Sequence, residues 1–298
     1  MMRKVRLLLL AWSLSVSAFC GTKRALTVFI GDYPSESGWN RLASGNDRTL
    51  ILGMLDRLGF ERDNIDCLLD EAATYDAILN TMDNLILKAE AGDQIYVHFS
   101  CHGQQITDQN GDEVLANPKD RYDESIVPYD ANVAYGWNGY KGDHHMRDDV
   151  LNNYFARLQK AVGRKGYVLV IYDACHSGDM DRISDDGETY PYRGTFDAFE
   201  QPYTGNGIAT PNESVSWMSI SACKDFQTNF EVEINGQRFG RLSYAIGQCL
   251  RGGMTYETLI TALQDLYRSL PMPPGKLQTI QYHAPDKMNK KQLFTNEG

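Results

Sequence analysis

Two stretches, QIYVHFSCHG (94–103) and GYVLVIYDACHSG (166–178), decide how this chain folds. Each is an apolar, β-rich run that breaks abruptly into small polar residues, the first at His102 and the second at Cys175. Uninterrupted runs of this kind read as strands buried on both faces, the habit of a parallel sheet. Open α/β sheets carry their chemistry just beyond the carboxyl ends of such strands. A histidine and a cysteine far apart in sequence are thus delivered to one sheet edge, as a thiol nucleophile and its imidazole base require.

Outward from these runs, ALTVFI (25–30) reads as a first strand that ends in GDYP. Asn46 and Asp47 precede a helical pattern carried by Leu50, Leu52, Leu55 and Leu58. A short strand over 64–69 and an amphipathic helix over 75–90 follow. Beyond His102, residues 108–130 read as an acidic loop, with seven carboxylates against Lys119 and Arg121. His144 and His145 read as a solvated pair, and Asp148 or Asp149 as the cap of a helix running to about 161. The stretch 179–214 lacks periodicity, a strand covers 214–221, and helices cover 242–250 and 256–270. Strands alternating with helices of this length predict βαβ units around a parallel sheet. With no repeat and no linker, the 298 residues read as one domain behind a leader.

The leader is an address. Arg3, Lys4 and Arg6 precede the apolar LLLLAWSLSV (7–16), and Val16-Ser17-Ala18 offers a small-residue cleavage site. A signal peptide over 1–18, or to 20, leaves a single domain from 19 to 298. The expectation is export to periplasm, cell surface or medium. Lipid attachment at Cys20 is disfavoured by the bulky Phe19 before it. A formal charge of −10 argues against nucleic acid, a polyanion that needs a basic groove. No transmembrane helix is expected in the mature chain, since the one long apolar stretch belongs to the leader. Cys67, Cys101 and Cys223 have apolar neighbours, as small buried hydrophobes do, and no CxxC pair suggests structural zinc.

SCHGQQ around His102 and DACHSG around Cys175 resemble the histidine and cysteine motifs of caspase-like peptidases of family C14, the metacaspase branch in particular. Asn110-Gly111-Asp112-Glu113, YDESIVPYD, RDDVL, SISACKDFQT, FGRLSY and QTIQYHA continue that resemblance, in order, from about 26 to 294. It implies a caspase-like three-layer α/β sandwich with a mainly parallel six-stranded sheet flanked by helices. It also implies that Cys175 is the nucleophile and His102 its partner. Asp47, Ser100 and Asp173 would line the primary specificity pocket. An acidic pocket selects Arg or Lys at the cleaved bond, because a buried carboxylate needs a matching cation. Backbone N–H groups near Gly103 and the Cys175 turn would stabilise the oxyanion.

The same resemblance implies calcium dependence and no organic cofactor. Its carboxylates would be Asp130, Asp148 and Asp149, with Asp179 or Asp181 beyond the nucleophile, because calcium takes six to eight oxygens. The function expected is a cysteine endopeptidase acting on peptides or proteins with Arg or Lys at the cleaved bond. The alternatives are the same fold with Asn or Asp specificity, or a silent calcium-dependent interaction module. If the enzyme cuts after basic residues, Arg182 and Arg193 are candidate self-cleavage points.

Overall fold

The computed structural model describes residues 21–113, 120–174, 190–195, 197–205, 215–224 and 227–295. The leader, Cys20, Cys175, Asp179, Asp181 and Arg182 lie outside these described residues. The first half runs β1 (Lys23–Phe29), α1 (Ser44–Arg57), β2 (Ile65–Leu69), α2 (Tyr75–Lys88) and β3 (Gln94–Ser100). Then come β4 (Gly103–Thr107), β5 (Tyr122–Ile126), β6 (Met146–Arg147), α3 (Asp148–Val162) and β7 (Tyr167–Asp173). The remainder is β8 (Met218–Ser221), β9 (Glu231–Ile234), β10 (Gln237–Gly240), α4 (Arg241–Cys249), α5 (Tyr256–Ser269) and β11 (Gln281–His283).

The six-stranded sheet has the order β11-β8-β7-β3-β1-β2. Its pairings are parallel except that of β11 with β8. β3 and β7 lie at its centre and are almost wholly buried, as their uninterrupted apolar runs require. Alternate residues serve opposite layers. Val97, Phe99, Val168 and Val170 pack with Ile78 and Met82 of α2 and Leu151 and Phe155 of α3. Tyr96, Leu169 and Ile171 pack on the other face with Ile51 and Leu55 of α1, Leu242 of α4 and Leu259 of α5. Each fully buried side chain of this size contributes about 1.5–3 kcal/mol, which makes the double-faced sheet a rigid platform. Helices on both faces complete the three-layer sandwich. Among the described residues, no helix is long and apolar enough to cross a membrane.

Several local expectations give way to tertiary demands. α1 begins at Ser44, ahead of Asn46, and Asp47 lies in its first turn, fully buried, rather than capping it. The N-cap of α3 is Arg147 and no side chain caps it, so Asp148 is released for other use. The acidic loop over 108–130 contains β5, which pairs antiparallel with β4. His145 is buried, its two ring nitrogens bonded to the Tyr140 hydroxyl and the Gln104 amide oxygen at 2.8 Å each. The β9–β10 hairpin turns through Asn235 and Gly236, both with positive φ (51° and 77°), as an Asn-Gly type I′ turn requires.

Candidate active site

The carboxyl ends of the central strands are level. Phe29 of β1 pairs with Ser100 of β3, and Ser100 with Asp173 of β7. His102 stands two residues past Ser100. Cys175 follows Ala174 outside the described residues. The buried imidazole of His102 stacks on Trp39 (ring centroids 4.8 Å, 27°), and its Nε2 lies 2.8 Å from the carbonyl of Asn40. A carbonyl only accepts, so Nε2 carries the proton and Nδ1 is left with its lone pair. Among the described residues Nδ1 has no hydrogen-bond partner. Burial pushes this imidazole down to about 4, against the pull of the Asn40 carbonyl, so it is neutral at neutral pH.

Tyr33 holds the backbone here. The His102 N–H donates to its hydroxyl (3.1 Å), which donates in turn to the Val127 carbonyl (2.8 Å). The hydroxyl thus stands in for a rung of the β4–β5 ladder. Val127 N–H still donates to the His102 carbonyl (2.9 Å), so by antiparallel alternation the next pair, Gly103 with Ile126, is not hydrogen-bonded. The Gly103 N–H therefore faces away from β5.

Asp47, Ser100 and Asp173 converge as expected, and a fourth member joins them. Asp47 Oδ1 accepts the Gly240 N–H (2.9 Å) and Oδ2 the Ser100 hydroxyl (2.8 Å). Asp173 accepts from the Asn229 amide (2.8 Å) and the Ser243 N–H (2.7 Å). Glu231, at the start of β9, accepts the Ala43 N–H at 2.7 Å. These carboxylates surround the guanidinium of Arg193, whose side chain is 0% exposed. Its Nη2 lies 2.7 Å from Asp47 and 3.1 Å from Glu231, and its Nη1 bonds the Ser100 hydroxyl at 2.7 Å. Burial raises Asp47 to about 6 against the pull of Arg193. Burial alone would also raise Asp173, but Arg193, Asn229 and Ser243 outweigh it and hold that carboxyl below its usual range. Gly240 forms the floor: a Cβ there would lie 2.2 Å from Asp173 Oδ2 and 2.6 Å from Arg193 Cζ.

The acidic segment collects into two adjoining groups, Asp108 with Asp112 and Asp123, and Glu113 with Glu124 and Asp148. Within each, carboxylate oxygens approach within 4.8 Å of one another. Among the described residues, one buried oxygen each of Asp108, Asp112 and Asp123 has no hydrogen-bond partner, and burial with mutual repulsion raises Glu113 to about 7. Burial likewise raises Asp123 to about 7 against the pull of Arg147, and raises Asp148 well above its usual value. Unpaired hard oxygens at this density fit a divalent cation. Asp149 sits beside them, bonded to Asn110 at 2.6 Å. Asp130 does not join: it accepts the Tyr75 N–H (2.9 Å) and pairs with His144 (2.9 Å). A cavity of about 270 Å³ lined by Glu124, Asp148, Tyr172 and Ser221 connects the group to the ends of β7 and β8.

Sequence reading missed Glu231, Asn40, Trp39, Tyr33 and Asp123. Glu231 had a nearby signal, since Asn-Gly at 235–236 marks a hairpin whose first strand it opens. Asn40, Trp39 and Tyr33 act through His102, 62 to 69 residues away, and Asp123 through Asp108, Asp112 and Arg147, and none of these pairings leaves a local trace.

A family model described as metacaspase, peptidase C14 domain, matches residues 24–183. The chain is 24% identical to Metacaspase-1 of Pyricularia oryzae, across 86% of this chain and 71% of that protein. It is 27% identical to Metacaspase-1 of Cryptococcus neoformans, across 82% of this chain and 59% of that protein. It is 30% identical to Metacaspase-2 of Arabidopsis thaliana, across 82% and 56% respectively. A crystal structure of a Geobacter sulfurreducens protein superposes with a TM-score of 0.60 at 21% identity, covering 92% of this chain and 98% of that one. That likeness concerns the fold alone.

Proposed function

Because this chain belongs to the metacaspase family of C14 cysteine peptidases, we propose that it is an endopeptidase that hydrolyses bonds following Arg or Lys through His102 and Cys175. The observation that carries the specificity is the pocket itself: Asp47, Asp173 and Glu231 face one buried volume, and only a cation balances them. That Nδ1 of His102 has no hydrogen-bond partner among the described residues supports its role as the base. In the reaction Nδ1 takes the Cys175 proton, and the thiolate adds to the carbonyl carbon. The Gly103 N–H is assigned to the oxyanion. His102 then returns the proton to the leaving amine, and water hydrolyses the thioester.

The test is a set of matched fluorogenic peptides ending in Arg, Lys, Asp or Asn, given to the parent and to Cys175→Ala. Turnover confined to Arg and Lys, and absent from Cys175→Ala, is the expected result. Turnover after Asp or Asn instead would overturn the pocket assignment.

Calcium is the cation assigned to the acidic groups, with Asp108, Asp112, Asp123, Glu113, Glu124 and Asp148 as its holders and Asp149 beside them. Bound there, it would supply charge neutralisation at the sheet edge. Glu113 and Asp123 titrate near 7 when folded, above their unfolded values of about 4. The stability they contribute is full below pH 4 and is lost as pH rises through 7. A cation takes the place of those protons, so its benefit grows in the same window. Calcium at one fixed concentration, 100 times its Kd at pH 8, is expected to raise Tm by about 5 °C at pH 8, and by less at pH 6. Differential scanning calorimetry with calcium and with chelator measures this, and a shift equal at both pH values would count against the assignment.

A further inference from the structure

We propose that Tyr33 is a positioning residue of the reaction. Its hydroxyl, wedged between the backbones of His102 and Val127, keeps one rung of the β4–β5 ladder open and so aims both the His102 imidazole and the Gly103 N–H. The inference rests on the dyad proposed above and assigns what holds that dyad in register.

Three observations carry it. First, the wedge replaces a bond that an antiparallel pair would make for itself. His102 and Val127 extend the ladder that pairs Gly103 with Ile126, and Val127 N–H donates to the His102 carbonyl at 2.9 Å. In place of the reciprocal bond, the His102 N–H donates to Tyr33 Oη (3.1 Å), which donates onward to the Val127 carbonyl (2.8 Å). Second, only a group that accepts and donates at once can bridge an N–H and a carbonyl. A hydroxyl does both. Burial holds the Tyr33 hydroxyl well above its usual range, so it keeps the proton it donates. Third, the same stretch of chain grips the ring of His102, since Trp39 stacks on the imidazole and the Asn40 carbonyl accepts from Nε2. That stretch is itself fastened. Trp39 Nε1 donates to the Ala131 carbonyl (3.1 Å), and the Ser37 carbonyl accepts the Val133 N–H (3.0 Å).

Without the hydroxyl, the His102 N–H and the Val127 carbonyl have a partner in each other, and the rung closes. Closing it turns the His102 backbone toward Val127. The imidazole is then drawn off Trp39 and the Asn40 carbonyl, and the Gly103 N–H turns with the peptide that carries it. The closed rung satisfies both backbone groups, so the fold loses little while the chemistry loses its alignment. A misplacement of about 1 Å can cost about 10²-fold in rate.

The test is Tyr33→Phe in the full chain, which keeps the ring beside Trp39 and His102 (centroids 6.1 and 5.2 Å). Its kcat is expected to fall by about 10–10²-fold with KM unchanged, and its Tm by about 2–4 °C. Arg and norleucine peptides should lose the same factor, because the wedge aims the reacting groups and not the specificity pocket. In a chain that already carries His102→Gln, the cost of Tyr33→Phe should shrink, since one of the two groups it aims is gone. A parental kcat per folded molecule, or an equal cost in both backgrounds, overturns the proposal. So does a variant that loses its fold, because the rung then fails to close. If Cys175→Ala keeps its turnover, the dyad reading falls and this one with it. If Cys175→Ala is silent while Tyr33→Phe keeps the parental kcat, only the wedge is overturned.

Discussion

His102→Gln is expected to lower kcat/KM on Arg peptides by about 10³-fold, within the 10²–10⁴ range that general acid–base groups supply. The substitution is chosen because an amide N–H can still reach the Asn40 carbonyl that now accepts from Nε2 at 2.8 Å. What it removes is the lone pair at Nδ1, the one ring atom with no partner among the described residues. On the proposal that the histidine and the thiol act as a unit, the doubly substituted His102→Gln, Cys175→Ala chain should be no less active than Cys175→Ala alone. Steady-state kinetics at matched circular dichroism decides the matter. A loss under tenfold would remove His102 from the chemistry and leave it as a packing partner of Trp39, on which it stacks at 4.8 Å.

Glu231→Gln is the second substitution with a large expected effect. It is the gentlest way to discharge the pocket. The remaining amide oxygen still accepts the Ala43 N–H that Glu231 takes at 2.7 Å, and its other oxygen, Oε2, has no hydrogen bond among the described residues and lies 4.0 Å from Arg238 Nη1. Removing one partner of a buried, hydrogen-bonded charge pair costs about 2–5 kcal/mol, so kcat/KM for Arg peptides should fall by about 30-fold or more. In the parent chain this loss is masked, because the substitution also loosens Arg193, whose Nη2 lies 3.1 Å from the same carboxylate. It is therefore measured in chains carrying Arg193→Ala. A norleucine-ended peptide should respond little. If Arg and norleucine peptides lose equally, Glu231 supports the fold near the site and does not select the substrate.

The extent to which the sequence foretold this molecule follows from the range of the forces concerned. β3 and β7 were legible because burial on both faces demands an unbroken apolar run, which is visible in seven consecutive residues. α2, α3 and α5 were legible to within a residue or two, because an apolar stripe repeats every turn. The ends of elements fared worse wherever a carboxylate had two uses. Asp47 and Asp148 both stand where a cap would be expected, yet one turns inward to Gly240 and Ser100 and the other toward Glu113 and Glu124. His145 read as solvated because its partners, Tyr140 and Gln104, are invisible as partners until the chain folds.

At the site, the sequence by itself determined which residue types reach the sheet edge, since small polar residues closing a buried strand announce it. His102 is legible for that reason, and Ser100 and Asp173 through the family resemblance of the motifs around them. Only the tertiary structure decided what stands opposite them. Glu231 arrives from a hairpin 58 residues beyond Asp173, and Arg193 from a segment with no periodicity at all. Electrostatic complementarity acts through space with no regard for sequence separation, so three carboxylates and one guanidinium find each other without leaving any pattern along the chain.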